Sequence, residues 1–161
     1  MQDHQHQNPV YVGINIAAGV AYFGAVRDRE ALVDDKADRI RPNAQLDDAS
    51  RYENFRDRVA QELRRLQPAV VGVARTRKYS QWTMAAATKR FGLEAAAMIA
   101  AAQEGFECRL VTQDEAAKTV KAPIPRLSTV LPERLGIEPT PYWDDRAVAF
   151  LIAAHLSQEA D

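Results

Sequence analysis

The stretch VYVGINIAAGVAYFGAV, residues 10–26, consists of two apolar runs joined by small residues. The runs at 10–16 and 20–27 read as strands and Ala17-Ala18-Gly19 as the turn between them, which predicts a β-hairpin. One polar side chain, Asn15, stands at the end of the first strand. An aspartate at such a strand end can hold a metal; this chain has an amide there. Asparagine also has a local use at a strand end, where it bonds nearby backbone and starts the turn.

Outward from the hairpin, ALVDDKADRI (31–40) reads as a third strand, polar enough to lie near an edge. From Leu46 to Leu66, apolar residues at Phe55, Val59, Leu63 and Leu66 make a helical stripe that Pro68 stops. AVVGVA (69–74) is an uninterrupted apolar run, as expected of a central strand buried on both faces. The alanine-rich segment up to Gly105 predicts a long helix, with Ala85, Thr88, Gly92, Ala95, Ile99 and Ala102 as its close-packing face. FECRLV (106–111) is a fifth strand, followed by a short helix beginning near Thr112 or Asp114. Residues 122–143 hold five of the eight prolines and read as a loop with one short helix. DDRAVAFLIAAHL (144–156) is a final helix with acidic residues in its first turn. The order β-β-β-α-β-α-β-α-α predicts an α/β fold, a mixed five-stranded sheet with helices on both faces.

Length and composition fit one domain, 9–158, behind a disordered glutamine-rich tail, 1–8, whose His4 and His6 offer only adventitious metal ligands. Twenty-one basic against twenty-two acidic residues give a net charge of -1, so nucleic-acid binding through overall charge is excluded and must rest on a local patch. A single cysteine, Cys108, excludes an intramolecular disulfide framework and reads as a buried structural thiol. No apolar run reaches membrane-spanning length and the first residues lack a signal-peptide pattern, so no membrane partner and a cytoplasmic location are expected.

Four stretches, in order, carry a resemblance: VGIN with its small-residue turn, LQPAVVGVA, the segment from KRFG through FECRLV, and DDRAVAFLIAAH. Together they resemble the Holliday-junction resolvase (RuvC) family, whose fold is ribonuclease-H-like. The resemblance implies a nuclease in which four acidic residues bind two Mg²⁺ ions at a DNA phosphodiester. Magnesium wants charged oxygen ligands. Position by position, the first acid falls on Asn15, the second on Ala74, the third on Tyr142 and the fourth on Asp145. One of the four remains, so the resemblance points to a degenerate member, with Asp145, Asp144 and Asn15 as a vestigial site and at most a weak metal at Asp145. Asp144 lies about 100° round the helix from Asp145 unless it is the N-cap, and capping and dipole stabilisation alone account for two aspartates there. Glu94 and Glu115 are expected to be solvated.

ARTRKYSQW (74–82) starts where the central strand ends. Arg75, Arg77, Lys78 and Tyr79, with Trp82, make a basic-aromatic cluster suited to phosphates and unpaired bases. Lys118 and Lys121 are further candidates for backbone phosphate. In the resolvases the counterpart of the 80–104 helix packs in a homodimer interface, and Trp82, Met84, Phe91 and Met98 can serve there or in the core. Three readings follow. The favoured one is a nucleic-acid-binding domain for branched or structured DNA that has lost nuclease chemistry. The others are an active Mg²⁺-dependent endonuclease with rearranged acids, and a protein-binding scaffold.

Overall fold

The computed structural model describes residues 7–32, 39–75 and 83–161. Strands β1 (Val10–Ala17) and β2 (Val20–Arg27) form the expected hairpin. Its turn places Ala18 at φ 49° and Gly19 at φ 74°, the doubly left-handed pair that matches the twist of a two-residue hairpin. Two short strands, β3 (Glu30–Ala31) and β4 (Arg39–Ile40), both pair antiparallel with β2. The single third strand expected over 31–40 is therefore two pieces, and residues 33–38 between them lie outside the described residues. β5 (Pro68–Ala74) runs parallel to β1, and β6 (Glu107–Val111) parallel to β5. The resulting mixed sheet has the order β3-β2-β1-β5-β6, with β4 beside β2.

Strand periodicity sends alternate side chains to two cores. Val10, Val12, Ile14 and Ile16 of β1, with Val71 and Val73 of β5, pack against α1 (Asp48–Leu66) and α2 (Met84–Gln103). The other face meets α3 (Gln113–Val120), α4 (Leu127–Leu135) and α5 (Trp143–Glu159). Helices cover both faces, as expected. No helix among the described residues is long and apolar enough to cross a membrane.

α5 sets the geometry of the site, because it lies on the sheet with almost nothing in between. Gly13 pairs with both Gly24 and Gly72, so three adjacent strands present a row of glycines. A Cβ on Gly13 would sit 1.9 Å from the Ala149 carbonyl oxygen, one on Gly24 2.5 Å from the Phe150 nitrogen, and one on Gly72 2.5 Å from an Ile152 methyl. Only glycine allows that approach. α5 is buried on nearly every side from Arg146 to Ser157, as a helix under several layers must be.

Helix ends follow their caps. Asp47 accepts from the Ser50 backbone at 2.9 Å and starts α1 at Asp48, while Thr83 and Thr112 cap α2 and α3 through Ala86 and Glu115. The proline-rich stretch is more helical than expected, with a 3-10 turn at Ile124–Arg126 leading into α4. The face assigned to α2 was the wrong one. Leu93, Glu94, Ala96, Ala97, Ala100 and Ala101 are buried, whereas Ala85, Thr88, Ala95, Ile99 and Ala102 are exposed. Alanine surrounds this helix, so residue size cannot select its inner side; of the expected face only Gly92 is tightly packed, against Tyr52.

Candidate functional site

One step of the pleat beyond the glycines, toward the ends of β1 and β5, lies a second row on the same face. Asn15 is paired directly with Tyr22 of β2. Ala74 follows Val73, the partner of Ile14, and so stands level with Asn15 on the other side. Over this row sits the first turn of α5. The close approach at the glycine row aims that turn at the strand ends, so Asn15 and Asp145 meet although 130 positions apart.

Their contact is specific. The Asn15 side-chain amide donates to the Asp145 backbone carbonyl at 2.9 Å, and Asn15 is 2 % exposed. The local role expected of Asn15, bonding neighbouring backbone at the turn, is not the one found. Its Oδ1 is buried with no hydrogen-bond partner, an exception to the rule that buried polar atoms are satisfied. Ala74 is fully buried and offers no donor atom.

The two aspartates diverge, as helical geometry requires. Asp144 is exposed and accepts from the Ser128 hydroxyl at 2.6 Å, which ties it to α4. Asp145 is half-buried; burial raises its carboxyl above the usual range, the Asp144 charge adds to that, and Arg90 of α2 opposes it. Neither aspartate is the cap. Tyr142 takes that position in a left-handed conformation, φ 61°, without a side-chain cap bond. Of the expected explanation for the pair, capping is thus not found, while dipole stabilisation stands, because both lie in the first turn. The Tyr142 ring centroid is 6.4 Å from that of Tyr22, and the Arg39 guanidinium lies 3.9 Å over it. Burial, followed by the Asp145 charge, pushes the Tyr22 hydroxyl upward. Arg146 is buried beneath, donating to the Phe23 carbonyl at 3.2 Å and to the Thr140 hydroxyl at 3.1 Å. It ties the start of α5 to β2.

The expected cations divide. Arg75 is exposed immediately beyond Ala74, and its backbone extends the ladder to Val111 at 2.8 Å. Arg77, Lys78, Tyr79 and Trp82 lie outside the described residues. Lys118 and Lys121 are exposed, but α3 lies along the second half of α5, where Glu115 meets His155, so neither lysine stands beside Asp145. Glu115 is solvated as expected. Glu94 is not: it is 6 % exposed, with Arg90 Nε at 3.5 Å. Cys108 is half-buried against the α1–α2 core, and burial raises its thiol to about 11.

Two cations were missed. Lys89 and Arg90, on the first half of α2, line a pocket of about 270 Å³ with Ala18, Gly19 and Ala86. A Cβ on Gly19 would lie 3.0 Å from Lys89 Nζ, so the hairpin turn and Lys89 are in contact. Adjacent basic residues at 89–90 were the only sequence signal, and nothing local says that they face the hairpin.

A mixed sheet that opens with an antiparallel hairpin, continues in parallel strands and carries a central helix aimed at the strand ends defines the ribonuclease-H-like class. No protein-family model matches this sequence, and no curated protein does. Solved structures do. Thermus thermophilus RuvC in complex with a Holliday junction substrate superimposes with a TM-score of 0.79 at 21% identity, covering 95% of this chain and 95% of that one. A second Thermus thermophilus RuvC structure gives 0.77 at 19% identity, covering 94% and 95%. The yeast mitochondrial Holliday junction resolvase gives 0.55 at 14% identity over 91% of this chain and 77% of that one. Within the ribonuclease-H-like class, the chain has a RuvC-like fold.

Proposed function

We propose that this chain is a cytoplasmic, RuvC-like nucleic-acid-binding protein that recognises branched or structured DNA and no longer performs two-metal phosphodiester hydrolysis. The observation that carries the reading is the row under the first turn of α5. There Asn15 spends its amide on the Asp145 carbonyl, and Ala74 presents a methyl group.

Two Mg²⁺ ions do not fit this donor set. A hard divalent ion beside an anionic phosphate needs several charged oxygens. The row supplies one half-buried carboxylate, Asp145, while Asp144 is turned away to Ser128. Nucleic-acid binding survives that loss, because phosphate contacts need cations rather than metals. Arg75 at the end of β5, with Lys89 and Arg90 beside the hairpin turn, provides them along one edge. Arg77, Lys78 and Tyr79, next along the chain, are further proposed contacts, and Lys118 and Lys121 serve outlying phosphates at most.

The exposed face of α2 supports a homodimer. Met84 is 83 %, Phe91 54 % and Ile99 48 % exposed, an unusual concentration of large apolar side chains on one helix.

A four-way DNA junction, titrated at low and moderate salt, tests the proposal. Binding whose affinity falls steeply with salt, and at least tenfold on Lys89→Ala with Arg90→Ala, is the expected result. No binding at low salt favours a protein-binding scaffold and overturns it. Asn15 Oδ1, buried and unpaired beside Asp145, is the observation that favours the second reading, a surviving metal-dependent endonuclease. Mg²⁺- or Mn²⁺-dependent cleavage abolished by Asp145→Asn would establish that reading. Cleavage appearing only after Asn15→Asp, Ala74→Glu and Tyr142→Asp together would mark a decayed nuclease.

A further inference from the structure

Away from the strand ends, a different set of side chains converges at the other half of α5. His155 and Glu159 are four residues apart on one helix face, and Glu115 reaches them from the first turn of α3. One ring nitrogen of His155 and one carboxylate oxygen from each glutamate lie within 4.8 Å of one another. We propose that these three residues form a transition-metal site, best suited to Zn²⁺, that clamps α3 to α5. The inference does not depend on the nucleic-acid reading.

The glutamates alone would be an ordinary acidic surface; the histidine is what distinguishes the place. His155 is 1 % exposed, and its Nδ1 is buried without a hydrogen-bond partner. Its Nε2 faces Glu159 Oε1 at 3.4 Å, too far for a good hydrogen bond. A buried imidazole whose Nε2 meets Glu159 only at 3.4 Å, with a Glu115 oxygen in the same cluster, has the geometry of a metal ligand rather than of a hydrogen-bonded core histidine.

The other oxygen of Glu159 is already oriented. Oε2 accepts from Arg109 of β6 at 3.0 Å, and Arg109 is itself held by Glu107 at 2.8 Å. This division, one oxygen free toward the site and one fixed by a donor behind it, is how ligating carboxylates are usually supported. One imidazole and two carboxylates make a mixed nitrogen–oxygen set that suits zinc better than magnesium. Tetrahedral zinc would bring its ligand atoms to roughly 3.4 Å from one another. His155 Nε2 and Glu159 Oε1 are already 3.4 Å apart, and the exposed Glu115 side chain is the one that closes the remaining gap. A water completes the coordination from the solvent side.

The test uses the full chain, stripped with chelator and carrying His4→Asn, His6→Asn, Asp144→Asn and Asp145→Asn, so that neither the tail nor the other end of α5 supplies ligands. Zn²⁺ alone is added, with binding read by calorimetry and thermal melting. One equivalent should bind, and a hundredfold excess over Kd should raise the melting temperature by about 5–10 °C. Glu115→Gln with Glu159→Gln removes only exposed carboxylates, so the metal-free protein should melt within about 2 °C of its parent and bind Zn²⁺ at least tenfold more weakly. Co²⁺ in place of Zn²⁺ should give visible absorption bands in the parent that the double glutamine variant lacks. No Zn²⁺ binding, or binding unchanged in that variant, overturns the site.

Discussion

Two neighbouring rows of the sheet, one pleat apart beneath the same helix, are under different constraints. Gly13, Gly24 and Gly72 form one row, and Asn15, Tyr22 and Ala74 the next. In the first, backbone meets backbone and no side chain fits. In the second, the helix is only beginning, and the side chains fill a space where several chemistries are possible. The glycine row holds the architecture that this chain shares with the resolvases of known structure. The second row is also buried, but it meets the helix through side chains, Asn15 by a hydrogen bond and Tyr22 and Ala74 by packing, rather than backbone against backbone. The first row fixes where α5 lies on the sheet, and the second carries the polar groups that its first turn meets.

The largest expected effect comes from breaking the first row. Gly13→Val places a branched side chain where even a Cβ would be 1.9 Å from the Ala149 carbonyl oxygen. Neither partner can move without separating α5 from the sheet. The expected cost is about 4 kcal/mol or more, seen as loss of the cooperative transition in urea. Gly72→Ala is the graded control. Its Cβ meets methyl groups of Ile152 and Leu156, which can rotate aside, so about 1–3 kcal/mol is expected. Equal costs at the two positions would refute backbone contact as the constraint.

Asn15→Asp probes the second row. It replaces the donor to the Asp145 carbonyl with a buried carboxylate beside another half-buried one. Losing that hydrogen bond and facing two acceptors costs about 1–3 kcal/mol near neutral pH. Burial will raise the new carboxyl above its unfolded value. The cost is therefore least at acid pH, where the group is protonated in both states, and grows as pH rises through the carboxylate range. Urea melts at pH 4 and pH 7.5 read this directly, and a deficit independent of pH would contradict it. Recovery of the lost stability by millimolar Mg²⁺ would show that the row still has the shape of a metal site and lacks only the charges.

The contrast between the rows also explains what the sequence disclosed. The hairpin, the central strand and Asn15 at its strand end were legible because each depends on periodicity or on a turn within a few residues. The glycines were visible, but a glycine inside a strand does not say which helix will press on it. The inner face of α2 was misread because alanine occurs all round it, and which face is buried is set by the core that the helix shares with α1 and one face of the sheet. Lys89 and Arg90 became part of the site only through contact with Gly19, seventy residues away in sequence from Lys89. Glu115, His155 and Glu159 likewise needed α3 to be laid on α5. Short-range physics writes elements into the sequence; what those elements face is decided by packing.

The smallest predicted effect isolates electrostatics in the second row from its packing. Asp145→Asn keeps the shape of the side chain and leaves the backbone carbonyl that receives the Asn15 amide in place. The Asp145 carboxyl is raised, first by burial and then by Asp144, so its ionised form is the one the folded state disfavours. Protonated, the residue contributes stability fully below its unfolded value, and that contribution disappears as pH rises through the raised folded value. The asparagine variant should thus be the more stable protein at pH 7, by a few tenths of a kcal/mol given the screening available to a half-exposed group. The advantage should shrink toward pH 3, where both side chains are neutral, and high salt should reduce the part due to Asp144 at pH 7. A variant less stable than the parent at pH 7, with no trend toward acid, would mean that the helix dipole and Arg90 outweigh burial. Asp145 would then be a settled anion in the folded state, better placed to hold a cation than the raised carboxyl allows.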